Sequence, residues 1–170
     1  MAQKLLGLGA DIPMCLLSQT ARISGIGEDI QPLDGLPPLH AVLVNPRRAV
    51  STPAVFRALH QTDNAAMPDV LPGFAGTHDL ILWLATQRND LETAATSLEP
   101  AIAVAKGELL ASNGCLLARM SGSGATCFGL YETAEAAQKA AAALSERHEG
   151  WWVRATVLGT QTKRALPRVS

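Results

Sequence analysis

The apolar positions of this chain follow two spacings, and the change from one to the other is clearest in the last third. In residues 151–157, Val153, Ala155 and Val157 alternate with Trp152, Arg154 and Thr156, which is the period of a strand with one buried face. After Thr133, Ala137, Ala140, Ala141 and Leu144 recur at three- and four-residue steps, predicting a helix with an alanine-rich stripe and Thr133 as its N-cap. Ile102, Ala105 and Leu109 share another helical face. Ser97 is the expected cap of that helix, Glu99 and Pro100 fall in its first turn, and Asn113-Gly114 stop it. Residues 115–120 and 126–131 read as two strands around a glycine-rich turn at 121–125.

The earlier part is less regular. His40 to Val44 is apolar and partly β-branched, so it predicts a strand, ended by Asn45-Pro46. Thr52 is placed as the N-cap of a helix with Pro53 at its first position, carrying Val55, Phe56 and Leu59. Residues 61–75 read as a loop, 77–86 as a helix, and Asn89-Asp90-Leu91-Glu92 as the entry to a short helical piece. From His40 onward the order is strand, helices, strand, strand, helix, strand. That is the ferredoxin-like split βαβ order, with extra helices after the first strand. It predicts an α+β fold with the helices on one face of a mostly antiparallel sheet. Residues 1–36 do not fit that unit. Met1 to Leu6 reads as the tail of a longer helix, closed by Gly7 or Gly9, and 20–24 and 29–33 as short strands around Gly25 to Glu28. Pro37-Pro38 marks the boundary.

Composition narrows the function classes. A length of 170 residues suits one domain or one and a half, and 48% hydrophobic against 17% charged residues argues for a packed core rather than disorder. With Phe 3, Trp 3 and Tyr 1, that core must be largely Ala, Leu, Ile and Val. A net charge of −1 gives no basic surface for nucleic acid, and no apolar run is long enough for a membrane span. Cys15, Cys115 and Cys127 form no CxxC pair, so a disulfide framework and a structural zinc site are not expected. Their apolar surroundings predict small core hydrophobes, and the usage fits a reducing, cytoplasmic setting. His40, His60, His78 and His148 have no i, i+4 partners, so no metal site is expected.

Three segments can carry chemistry. Ser121-Gly122-Ser123-Gly124 offers φ > 0, close backbone approach, exposed N–H groups and hydroxyls, which suit an anion. It is neither a P-loop nor a dinucleotide fingerprint, and by spacing alone a plain hairpin turn reads equally well. Asp11, in Gly9-Ala10-Asp11-Ile12-Pro13, is a lone carboxylate beside apolar residues; it suits either a proton acceptor or a turn. Thr52, Pro53 and Phe56 set a hydroxyl and a ring one turn apart, which fits a ligand contact or, on local pattern, a capped helix with Phe56 in the core. Arg47-Arg48 read as a solvated loop pair.

In order, GADIP, GIGE at 25–28, the strand ending in Asn-Pro, VSTPAVF at 50–56, NDLE at 89–92 and ARMSGSGATCFGLY at 118–131 resemble the GHMP kinase superfamily. Within it they resemble the branch that phosphorylates diphosphocytidyl methylerythritol on the route to isoprenoid precursors. The resemblance covers residues 5–160. It implies an ATP- and magnesium-dependent transfer of a phosphoryl group to the 2-hydroxyl of a small-molecule substrate, bound between two domains. It places Asp11 on the catalytic aspartate, Thr52 and Pro53 on the substrate loop, and Phe56 on a ring that stacks against cytosine. Ser121, Gly122, Ser123 and Gly124 fall on the third superfamily motif, which supports the phosphate region. Asn89-Asp90 are expected in a structural turn. The implied organisation is a remnant of the ATP-binding domain at 1–37, the C-terminal domain at 38–160 and a tail at 161–170. The superfamily's N-terminal lysine and its Pro-x-x-x-Gly-Leu-Gly-Gly-Gly-Ser-Ser loop do not occur in the sequence. This predicts a truncated form that is inactive alone; one alternative is half of a split kinase, whose missing N-terminal half comes from another chain. The other alternative is a non-catalytic ferredoxin-like module that covers its open face with a partner or a second copy.

Overall fold

In a computed structural model of the protein, residues 12–160 are described. They fall into two units, one holding residues 12–38 with Gly159 and Thr160, the other Leu39–Leu158. The expected helix tail at Met1 to Leu6, Asp11, and the tail at 161–170 lie outside the described residues.

The first unit is small. Helix α1 (Ile12–Leu17) is followed by strands β1 (Ala21–Ser24) and β2 (Asp29–Pro32), which pair antiparallel from Ala21↔Pro32 to Ser24↔Asp29. The turn between the strands needs left-handed backbone at Gly25 (φ +68°) and Gly27 (φ +112°). The Glu28 carboxylate accepts from the Ile26 N–H at 2.6 Å, and Ser24 Oγ donates to Asp29 at 2.8 Å. Cys15, expected as a small core hydrophobe, is exposed.

The second unit is built on four strands. These are β3 (Leu39–Asn45), β4 (Cys115–Met120), β5 (Cys127–Tyr131) and β6 (Trp152–Leu158), in the spatial order β4-β5-β3-β6. Every neighbouring pair is antiparallel, with Val42 opposite Gly129 on one side and Ala155 on the other. This is the split βαβ arrangement, because each crossover skips one strand. Four helices separate β3 from β4: α2 (Thr52–Arg57), α3 (Thr77–Ala85), α4 (Glu92–Leu98) and α5 (Ala101–Ala111). Helix α6 (Ala134–Arg147) joins β5 to β6.

The main core lies on one sheet face. Val42, Val44 and Cys127 meet Ile102, Ala105 and Leu109 of α5 and Ala137, Ala140 and Leu144 of α6. Both helical stripes match the sequence pattern, and small alanines let these helices approach the sheet closely. The Thr133 cap is present, with its hydroxyl accepting from the Ala136 N–H at 3.2 Å. Gly114 (φ +81°) ends the turn after α5.

Three local expectations are corrected. Ser97 does not cap α5. It sits inside α4, where its Oγ donates to the Thr93 carbonyl at 2.9 Å, and Pro100 takes the cap position. The N-cap position of α2 is held by Ser51, without a side-chain cap hydrogen bond, so Thr52 is the helix's first residue rather than its cap. The helices do not all share one face. Ile81 and Leu84 of α3 pack with Ala41 and Leu130 on the opposite side of the sheet, beside Leu117 and Phe128. Strand alternation leaves that second apolar row on β3 and β5, and α3 covers it.

Candidate functional site

The glycine-rich turn closes the β4–β5 hairpin. Its backbone is held by Ser121 N–H to Thr126 O (2.9 Å) and Gly124 N–H to Ser121 O (3.0 Å), with left-handed backbone at Gly122 (φ +54°) and Gly124 (φ +91°). A side chain at Gly124 would be tight as well as strained, since a Cβ there would lie 3.0 Å from both Ile102 Cδ1 and Met120 Sδ. Among the described residues, no protein acceptor takes the N–H of Gly122, Ser123 or Ala125. Unpaired donors in a turn of alternating left-handed backbone suit an anionic group.

Helix α2 meets this turn through its first residue. Thr52 Oγ1 and Ser123 Oγ are 2.7 Å apart, joining positions 71 residues apart in sequence. Thr52, Pro53 and Phe56 are all exposed, and Phe56 is 55% exposed. The reading that buries Phe56 in the core is therefore overturned. Val55 is the core residue of this helix, fully buried, so Phe56 turns toward solvent. Structure thus brings together the hydroxyl of the α2 start and the Ser121 to Gly124 turn, while Asp11 lies outside the described residues.

Two further side chains fasten the turn from beneath. Asn45, at the end of β3, donates from Nδ2 to Thr126 Oγ1 at 2.9 Å and accepts the Arg47 N–H at 2.7 Å. That bond holds Arg47 in left-handed backbone (φ +56°), and Arg47 and Arg48 are exposed. Asn89 Nδ2 donates to Met120 O at 3.0 Å and to Gly122 O at 2.9 Å, while Oδ1 accepts the Leu91 N–H at 3.1 Å. Glu92, three residues on, accepts the Met120 N–H at 3.3 Å and pairs with Lys106. A structural turn is the expectation for Asn89-Asp90; the reach of Asn89 to residues 31 and 33 positions away has no sequence signal, because side-chain hydrogen bonds across that span follow no period.

A cavity of about 740 Å³ lies behind this segment, with His60, Gln61, Arg88, Asn89, Glu92 and Arg119 among its walls. Burial lowers the Arg119 guanidinium's pKa from its ordinary value, against Glu92, and Arg119 donates to the Leu84 carbonyl. Thr52, Phe56 and the Ser121 to Gly124 turn do not line this cavity. Among the described residues no group of three His, Cys, Asp or Glu side chains is arranged to hold a metal ion, and no helix is long and apolar enough to cross a membrane.

Residues 72–150 match the family model described as "GHMP kinases C terminal". The α+β unit Leu39–Leu158, with its antiparallel sheet, contains this match and has the fold of a GHMP kinase C-terminal domain. Within that class the chain is a relative of enzymes named 4-diphosphocytidyl-2-C-methyl-D-erythritol kinase. That of Roseobacter denitrificans is 59% identical over 168 residues, covering 99% of this chain and 56% of the relative. That of Chelativorans sp. is 49% identical over 170 residues, covering 100% of this chain and 56% of the relative. A crystal structure of 4-(cytidine 5'-diphospho)-2C-methyl-D-erythritol kinase superposes with a TM-score of 0.71 at 34% identity, covering 94% of this chain and 57% of that one. A homoserine kinase from Cytophaga hutchinsonii shares the fold, with a TM-score of 0.60 at 21% identity. The chain spans about half the length of the curated relatives it matches.

Proposed function

We propose that these residues form the acceptor-side part of an ATP-dependent kinase acting on 4-diphosphocytidyl-2-C-methyl-D-erythritol, in isoprenoid precursor synthesis in the cytoplasm. The observation that carries this reading is the hydrogen bond between Thr52 and Ser123, beside an exposed Phe56. It joins a hydroxyl, an exposed ring and a turn whose Gly122, Ser123 and Ala125 N–H groups have no acceptor among the described residues. A diphosphocytidyl substrate presents a matching ring and phosphates.

In the proposed reaction the substrate's 2-hydroxyl oxygen forms a bond to the γ-phosphorus of ATP. The bond from that phosphorus to the β,γ-bridging oxygen breaks, and ADP leaves. Asp11 receives the hydroxyl proton or orients the hydroxyl. Phe56 holds the cytosine by stacking, worth about 1–3 kcal/mol per base. Thr52, with Pro53 fixing the start of α2, orients the acceptor. The turn at Ser121, Gly122, Ser123 and Gly124 supports the phosphates through backbone donors. Magnesium would enter with ATP and neutralise charge on the transferred group; no acidic cluster among the described residues is arranged to hold it.

We further propose that the 170 residues turn over only when another segment supplies the superfamily's N-terminal lysine and its glycine-rich phosphate loop, since neither motif occurs in this sequence. The test is ATP-dependent phosphorylation of the diphosphocytidyl substrate by this chain alone and by this chain mixed with the portion of the Roseobacter denitrificans kinase that lies outside the match. Activity in the mixture alone is the expected result. Robust activity of the chain alone overturns the need for a second segment, and an inactive mixture overturns the kinase reading.

A further inference from the structure

Asn89 occupies a position that a turn-forming residue does not need. One amide group reaches across to β4 and to the glycine-rich turn, donating to the carbonyls of both Met120 and Gly122. Its oxygen meanwhile accepts the Leu91 N–H and so fixes the entry to α4. Glu92 adds a second tie to the same strand end through the Met120 N–H, and is itself held by Lys106. The carbonyl side of the turn is thereby occupied by donors from the NDLE segment. The N–H groups of Gly122, Ser123 and Ala125 have no acceptor among the described residues.

We infer that Asn89 is a positioning residue for phosphoryl transfer: it pins the Ser121 to Ala125 turn by its carbonyls so that its N–H groups stay turned out for an anion. The use of the turn rests on the kinase reading above; the pinning itself does not. Carbonyl oxygens facing a phosphate would repel it, and a turn free to flip its peptides would present them part of the time. Two donors from one planar amide hold the Gly122 carbonyl inside the turn and the Met120 carbonyl just before it, so the peptides that follow these two residues are kept from flipping. Asp90 cannot substitute, because its carboxylate is an acceptor and pairs with Arg88 at 2.9 Å.

The decisive variant is Asn89→Asp. It keeps an oxygen for the Leu91 N–H but removes both donors, so a role confined to starting α4 leaves it like the parent chain. The readout is hydrogen exchange at the Ser121 and Gly124 amides, the two turn donors with backbone acceptors, compared with Val42 and Val44 in β3. The expected result is exchange about tenfold faster at Ser121 and Gly124 with Val42 and Val44 unchanged, as for a local opening. Asn89→Ala, which adds no charge, gives the same pattern. Unchanged turn amides in both variants overturn the inference. Equal acceleration at Val42 and Val44, or failure of both variants to fold, also overturns it, since Asn89 would then support the domain as a whole. In the complemented mixture, Asn89→Asp lowers kcat about tenfold while KM for the acceptor stays within about twofold; an unchanged kcat overturns the positioning role. If the parent mixture does not phosphorylate at all, the kinase reading falls and the exchange result still decides whether Asn89 pins the turn.

Discussion

Thr52 Oγ1 and Ser123 Oγ lie 2.7 Å apart, tying the first residue of α2 to the turn between β4 and β5. Because both side chains are near solvent, the bond contributes little to folding. Thr52→Ala should cost less than about 1 kcal/mol by denaturant unfolding. Its effect on the complemented kinase should be larger, a drop of about tenfold in kcat/KM, since in the proposed reaction the same hydroxyl sets the acceptor loop against the phosphate turn. Thr52→Ser keeps the hydroxyl and should recover most of the loss. Equal effects of Ala and Ser on turnover would contradict this.

Neighbouring residues of α2 should separate stability from binding. Val55 is fully buried and Phe56 is 55% exposed. Val55→Ala should destabilise the chain by about 1–3 kcal/mol. Phe56→Ala should stay within about 0.5 kcal/mol of the parent in stability yet weaken the cytidine-containing substrate by about 1–3 kcal/mol. Thermal unfolding and substrate titration of the complemented mixture check both. A large stability loss at Phe56 would return it to a packing role.

These two residues also show what sequence could and could not convey. The buried stripes of α5 and α6 and the strands of the last third were readable, because their apolar residues repeat at 3.6 or 2 positions. Helix α2 has only six residues, too few for its period to say whether Val55 or Phe56 faces inward. The resemblance to a kinase motif pointed Phe56 outward, where local pattern pointed it into the core. Helix α3 was legible as a helix, but not the sheet face it covers, since both faces of β3 are apolar. The tie from Asn89 to the turn depends on tertiary approach, which no local spacing encodes.

Glycine substitutions should divide by backbone and space. Gly124→Ala combines left-handed backbone at φ +91° with contacts of 3.0 Å to Ile102 and Met120, and should destabilise by about 1–3 kcal/mol. Gly107→Ala lies inside α5 with nothing within 4 Å of the new Cβ, and should stabilise by about 0.5–1 kcal/mol. Urea midpoints of the two variants, moving in opposite directions, are the check.

Alkaline stability should fall with a sign set by two buried groups. Burial pushes the Cys127 thiol up to about 11, from its ordinary 9.0, with Glu92 adding to the rise. Burial likewise pushes the Tyr131 phenol up to about 12, from 10.0, although its hydrogen bond to Ser112 works against the rise. Both stay protonated in the folded chain at pH values where the unfolded chain loses the proton. Their contribution is therefore complete below about pH 9 and is lost as pH rises through about 11 to 12. Urea midpoints should decline over that window, and Cys127→Ala should lessen the decline between pH 9 and 11. An unchanged slope in Cys127→Ala would contradict the assignment.

The position of the transferred phosphate tests the kinase reading most directly. Phosphorus NMR of the product formed by this chain, the complementary segment of the Roseobacter denitrificans kinase, ATP and diphosphocytidyl methylerythritol should show one new phosphomonoester, on the 2-hydroxyl, with the cytidine diphosphate intact and ADP formed in equal amount. A mixture that yields only ADP and inorganic phosphate, or that phosphorylates a different hydroxyl, would contradict the account.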